Sequence, residues 1–124
     1  MYRNLYKEAK NMIDNAYAPY SRFKVGAAVM TTGGKIFKGA NIENASFGAG
    51  ICAEQVAVSA AVSAGEREFD AIAVVSGEGS AWPCGICRQF MYEFSPEMKV
   101  ITGDDEDHLE VYELAELLPK GFVL

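Results

Sequence analysis

Three cysteines, Cys52, Cys84 and Cys87, are the only thiols in the 124-residue chain, and two of them form a C-x-x-C pair within AWPCGICRQ. Such a pair can be a redox couple, half of a structural zinc knuckle, or part of a catalytic metal site. A redox couple at a helix start would gain from the helix dipole, which lowers thiol pKa. It would leave Cys52 idle, and the pair comes late in the chain, after a hairpin and a long helix. A structural zinc needs four protein ligands. The sole histidine, His108, lies in an acidic loop away from any ligand spacing and reads as a surface residue. The remaining reading uses three protein ligands and leaves one position for water, the pattern of a catalytic zinc.

Glu54 strengthens that third reading. It follows Cys52 by two residues and falls in the first turn of the same expected helix. A carboxylate there can bend back toward a metal without binding it. An isolated Glu in a first turn is ordinarily a dipole-favoured surface residue. This one opens a helix that carries no other charge, which argues for an acid/base beside the metal instead.

The elements that must hold these residues are legible from periodicity. Residues 3–16 place Leu5, Ala9, Met12, Ile13 and Ala16 on one helical face, and Pro19 punctuates the break in YAPYSRF. KVGAAVMTT and KIFKGANIE flank Gly33-Gly34 as a β-hairpin. CAEQVAVSAAVSA (52–64) reads as a helix ended by Gly65, and its lack of charge after Glu54 predicts burial in the middle of the fold. AIAVVSG (71–77) and KVIT (99–102) read as buried strands around a helix over 84–94, stopped by Ser95-Pro96. The tail reads as an edge strand and a short helix ending before Pro119. This order predicts an α/β sandwich with helices covering a mixed sheet, a single domain over residues 1–124.

Composition narrows the partners. Half of the residues are hydrophobic and 23% are charged, an ordinary globular balance. The net charge of −6 and the lack of clustered basic residues argue against nucleic acid and for a small, weakly charged substrate. The run Asp104-Asp105-Glu106-Asp107 reads as a solvated loop of mutually repelling charges. No apolar run suits a signal peptide or a membrane span, and an odd cysteine count fits a reducing cytoplasm.

C-A-E followed by P-C-x-x-C matches the zinc-dependent deaminase signature with its non-ligand Glu. Beyond it, YSRFKVGAAV, GANIENASFG, ICAEQVAV, PCGICRQFMYEF and ELLPKGF together resemble the small cytidine deaminases over nearly the whole chain. The resemblance implies a five-stranded α/β/α sandwich, a homotetramer, one zinc per subunit, and a place in pyrimidine salvage. Cytidine and deoxycytidine would be converted to uridine and deoxyuridine plus ammonia. Cys52, Cys84 and Cys87 would bind zinc, with a water activated at the metal attacking C4 of the cytosine ring. Glu54 would take the water proton, deliver it to N3 and later protonate the leaving amine. Asn41 and Glu43 would hold the ribose hydroxyls and base edge, on one face if the strand alternates that far. A carboxylate there suits a neutral ribose and repels a phosphate, favouring nucleoside over nucleotide. Phe23 would pack on the pyrimidine, the Ala53 backbone would donate to the C2 carbonyl, and Phe122 would reach a neighbouring subunit's site. Arg88 and Gln89 would anchor their helix near the metal.

The chain departs from that pattern at three places. Gln55 stands where most three-cysteine relatives have Arg, so a hydrogen-bond donor replaces a cation beside thiolates and zinc that sum to −1. The two helix N-termini, each worth about +0.5 charge, would then carry more of the compensation. Phe47 stands for the more usual Tyr. Trp82 precedes Pro83 where Ser is frequent, which bears on pocket shape. Two rivals remain: a deaminase of another cytosine nucleoside such as a nucleoside antibiotic, and a non-catalytic zinc-stabilised binding module.

Overall fold

A computed structural model describes residues 1–124. Its elements run α1 (Tyr2–Asn11), β1 (Val25–Thr31), β2 (Ile36–Ala40), α2 (Ala53–Ser63), β3 (Phe69–Ser76), β4 (Gly79–Ser80), α3 (Gly85–Tyr92), β5 (Lys99–Gly103), β6 (Leu109–Glu113) and α4 (Leu114–Leu117). Five strands form the sheet in the order β2-β1-β3-β5-β6, with the two-residue β4 paired to β3. All pairings are antiparallel except β3 with β5, so the sheet is mixed. β3 and β5 are parallel neighbours because α3 returns the chain between them.

Period-two alternation divides the sheet's side chains between two apolar layers. Ala28, Met30, Ala71, Ala73, Val75 and Ile101 meet Leu5, Tyr6 and Ala9 of α1. Their sequence neighbours Ala27, Val29, Ile72, Val74 and Val100 face the other way, onto α2, α3 and α4. Both faces are covered, which is why all seven residues of β1 are buried. The result is the α/β/α sandwich expected from the sequence. Each fully buried aliphatic side chain contributes about 1.5–3 kcal/mol relative to exposure.

Helix α1 is shorter than its apolar periodicity predicts. It ends at Asn11, a 3₁₀ turn covers Ile13–Asn15, and Ala16 is extended at φ −66°, ψ 141°. The turn allows Tyr17 to run alongside Ile42 in a parallel bridge, with the Tyr17 N–H donating to the Asn41 carbonyl at 2.9 Å. The hairpin turns at the glycine pair as expected, and Gly34, at φ 90°, is the residue that needs glycine's freedom. Helix α2 is buried along Ala53, Glu54, Ala57, Val58 and Ala61, but Ala60 and Ser63 are exposed. Its missing charge therefore reflects an uncharged outer face as well as a buried inner one.

The acidic loop is more organised than mutual repulsion predicts. Glu106 pairs with Arg3 at 3.0 Å and Lys7 at 3.3 Å, tying the β5–β6 connection to α1. Asp105 accepts from Nδ1 of His108 at 2.8 Å. His108 itself is a surface residue, its side chain 77% exposed.

Candidate metal centre

Cys52 is the N-cap residue of α2, and Cys84 the N-cap residue of α3. Cys87 is the third residue of α3, within its first turn, and is fully buried. Neither N-cap side chain closes its own helix with a cap hydrogen bond. The sulfurs are turned instead toward one another, and all three lie within 4.8 Å. Cys84 and Cys87 are 3.5 Å apart at sulfur. A tetrahedral zinc with Zn–S near 2.3 Å requires sulfurs about 3.8 Å apart, so the donor set fits this ion in type, number and spacing. Two helix N-termini aim their unpaired N–H groups and partial positive charge at the cluster.

The titration of these thiols reflects their crowding. Hydrogen bonding from Cys87 holds the Cys52 thiol down to about 7. The same hydrogen bond, followed by burial and the Glu54 charge, pushes the Cys87 thiol far up. Three sulfurs beside a carboxylate cannot all ionise without a cation between them.

Glu54 is 5% exposed, in the first turn of α2. Burial raises its carboxyl pKa, opposed by hydrogen bonds from its own backbone N–H and from Cys87. A buried carboxylic acid next to the sulfur cluster is unusual for a merely structural centre, which has no use for a proton carrier there.

Two cavities meet at the cysteines. The inner one, about 190 Å³, is mostly apolar; Phe23, Val74, Ala81 and Trp82 line it, with Cys52, Ala53, Glu54 and Cys84 at the metal end. Ala53 is the first residue of α2, so its N–H has no intrahelical acceptor and is available to a ligand. The outer cavity, about 660 Å³, is lined by Tyr20, Asn41, Glu43, Asn44 and Gln55 together with Cys52 and Cys84. Asn41 borders both. The inner space suits one small flat ring and the outer a more polar appendage.

The expected site residues thus converge, with two differences. β2 ends at Ala40, and Ile42 continues only as isolated bridges to Tyr17 and Ile51. Asn41 and Glu43 flank it and both turn toward residues 20–25. Phe122 lines neither cavity and is 66% exposed. Its backbone is held in both directions by Gln89, at 2.9 and 3.0 Å. Arg88 donates from Nε to the Pro83 carbonyl and from Nη1 to the Leu117 carbonyl, each at 2.7 Å, fixing the start of α3 to the end of α4. Gln55 stands beside Cys52 on the outer wall and makes no hydrogen bond to a cysteine sulfur.

Sequence reasoning raised Trp82 without giving it a place in the site; the structure puts it on the inner wall, edge-on to Tyr112 at 5.4 Å between ring centres. Ser21 was missed altogether. The signal was present in the Ser two residues before Phe23, a spacing at which a hydroxyl can accept from the main chain.

Residues 1–103 match the family model of the cytidine and deoxycytidylate deaminase zinc-binding region. The chain is 46% identical to the cytidine deaminase of Halalkalibacterium halodurans over 120 residues, 95% of this chain and 91% of that one. It is 45% identical to a crystal structure of cytidine deaminase from Burkholderia pseudomallei, with a TM-score of 0.92 over 98% of this chain and 99% of that one. A crystal structure of cytidine deaminase from Mycobacterium tuberculosis is 38% identical, with a TM-score of 0.86 over 99% and 98% of the two chains.

Proposed function

The chain belongs to the cytidine and deoxycytidylate deaminase zinc-binding family, and we propose that it hydrolyses cytidine and deoxycytidine to uridine and deoxyuridine, releasing ammonia, in pyrimidine salvage. One observation carries this reading: three sulfurs spaced for a single zinc stand next to a buried carboxylic acid at the end of a ring-sized cavity.

Cys52, Cys84 and Cys87 hold the zinc, one per subunit. When bound, zinc supplies Lewis acidity that makes water a usable nucleophile near neutral pH. Glu54 carries the protons. It takes one from the attacking water and passes it to ring N3; it then takes the second from the new C4 hydroxyl and delivers it to the amino group, which leaves as ammonia while C4 becomes a carbonyl. Its burial-raised pKa suits that shuttle, since a group poised nearer the working pH both accepts and returns a proton readily. The free N–H of Ala53 donates to the C2 carbonyl and sets which ring edge faces Glu54. Phe23 covers the ring and keeps water from its face. Asn41 and Glu43 hold the ribose from the outer cavity. The Glu43 carboxylate, kept ionised by hydrogen bonds from Ser21 and Tyr20, repels a 5′-phosphate and selects nucleoside.

The whole chain acts as one catalytic domain, in the cytoplasm, as a homotetramer. Phe47, Ile86, Phe122, Val123 and Leu124 are between 63% and 113% exposed, and the outer face of α2 is uncharged, which supports burial against further copies. In that assembly Phe122 reaches a neighbour's site rather than its own. No helix is long and apolar enough to cross a membrane. Neither nucleic acid nor lipid is a partner.

The test is the fall in ultraviolet absorbance as cytidine becomes uridine, run beside metal analysis of the same sample. Turnover with about one zinc per chain is expected. Zinc-loaded protein that converts no cytosine nucleoside would be a binding module instead.

A further inference from the structure

Phe23 has an unusual backbone: neither its N–H nor its C=O is held by main chain. Its N–H donates to Oγ of Ser21 at 3.0 Å, and its carbonyl accepts from Nδ2 of Asn41 at 2.8 Å. The Ser21 hydroxyl, in turn, donates to Oε2 of Glu43. Oε1 of the same carboxylate accepts the backbone N–H groups of Tyr20 at 2.9 Å and Ser21 at 3.1 Å. Between Ser21 and Phe23 stands Arg22 at φ 60°, left-handed backbone that is strained for a non-glycine residue. The segment holds that bend because side chains pin it from both sides.

From this arrangement we propose that Ser21 is a positioning residue that couples the two halves of the substrate site, its hydroxyl linking the sugar-facing carboxylate of Glu43 to the ring-facing Phe23. The inference rests on the deaminase reading above.

The valences permit it. A carboxylate offers about four acceptor directions. Glu43 uses three within the loop, leaving one for a sugar hydroxyl. Asn41 uses one amide hydrogen on Phe23 and one carbonyl lone pair on the Val25 N–H, leaving one of each. Ribose can bind without dismantling the support of Phe23. A sugar hydroxyl on Glu43 polarises the same carboxylate that orients Ser21, so the ring wall is set by the residues that read the sugar. The consequence is a nucleoside-specific site in which base and sugar are not recognised independently.

Ser21 touches neither the metal cluster nor the inner cavity. Replacing it should therefore act on binding rather than on chemistry. The experiment is a double-mutant cycle on cytidine deamination by the zinc-loaded protein, using Ser21→Ala, Phe23→Leu and the pair. Ser21→Ala is expected to lower kcat/KM about tenfold, mostly through KM, with zinc content unchanged, and Ser21→Thr to restore it. In the Phe23→Leu background the same change should cost no more than about twofold, because the ring it positions is gone. Additive losses, or a Ser21→Ala effect confined to kcat, would overturn the proposal. Should the alanine variant melt below the assay temperature, Ser21→Cys replaces it in the cycle, keeping the size while donating weakly. Wild-type protein that turns over no cytosine nucleoside would overturn the deaminase reading itself, whereas active wild type with an indifferent Ser21 overturns only this coupling.

Discussion

Gly39 of β2 lies against the backbone of Ala57 in α2: a Cβ at Gly39 would meet the Ala57 nitrogen at 2.6 Å and the Ala53 carbonyl oxygen at 2.7 Å. Backbone, unlike a flexible side chain, cannot step aside. The contact fixes how closely the first turns of α2 approach the sheet, and that turn begins with Cys52 and Glu54. Gly39→Ala should therefore push α2 outward and destabilise the fold by about 1–3 kcal/mol, the usual cost of overpacking. Zinc should be lost to a chelator faster than from wild type, because Cys52 moves while Cys84 and Cys87, on α3, do not. Thermal melting and chelator competition read the two effects separately. A variant that melts like wild type and keeps its zinc would show that the sheet–helix spacing does not set the metal centre.

Glu54 separates a catalytic centre from a structural one. Glu54→Gln keeps the shape of a side chain that is only 5% exposed and removes its proton-carrying capacity. Turnover should fall by about 10²–10⁴-fold, the ordinary worth of a positioned general acid/base. Zinc content should stay near one per chain. Because burial disfavours the Glu54 charge, the neutral isostere should melt no lower than wild type. A Gln variant that retains full turnover would assign the proton transfers elsewhere.

The lone histidine offers a pH-dependent readout with one resolvable signal. Nδ1 of His108 faces both oxygens of Asp105, at 2.8 and 2.9 Å, and that hydrogen bond raises the His108 pKa above 6.5. The same bond lowers the Asp105 carboxyl below 3.8. A raised histidine contributes stability that is fully present below its unfolded-state value and is lost as pH rises through the folded-state value. A depressed aspartate contributes stability present above its unfolded-state value and lost as pH falls through the folded one. The pair therefore acts in the acid-to-neutral window between them. NMR titration of the single imidazole should place its midpoint above 6.5, and Asp105→Asn should move it down. A midpoint unmoved by that substitution would mean the pair does not form in solution.

How much of this could be read from the residues depended on whether a signal was local. The metal centre was legible because Cys52, Cys84 and Cys87 each sit at a helix start that composition also marks, and Glu54 opens an otherwise uncharged helix. The covered sheet was legible because the apolar runs 71–77 and 99–102 read as buried strands between helices, and the structure places an apolar layer on each face. The early end of α1 was not legible, since Met12 and Ile13 continue its apolar face and only the distant bridge of Tyr17 to Ile42 demands the turn. The ion pairs of Glu106 with Arg3 and Lys7 were hidden for the same reason, being contacts about a hundred residues apart in sequence. Ser21 lay in a quoted motif, yet its role depends on Glu43 meeting it across the loop.

Gln55 supplies the last test, because the structure sharpens the question its identity raises. It stands half-buried beside Cys52 on the outer wall, with no bond to any sulfur, so it neither adds charge nor drains it from the thiolates. Three thiolates and a divalent cation leave the centre at −1, and the N-termini of α2 and α3, capped by Cys52 and Cys84, present partial positive charge to it. Gln55→Arg would place a full cation there. A unit charge at ~10 Å with an effective dielectric of ~20 is worth about 1.7 kcal/mol, a little over one pK unit. The attacking water becomes easier to deprotonate as the centre becomes less negative. The acid limb of the pH–rate profile should accordingly shift about one unit lower in Gln55→Arg than in wild type. Because Arg also withdraws charge from the sulfurs, chelator competition should show zinc held no tighter. An acid limb that stays in place, with turnover intact, would mean that the helix ends already neutralise the centre and that the residue after Glu54 is electrostatically silent.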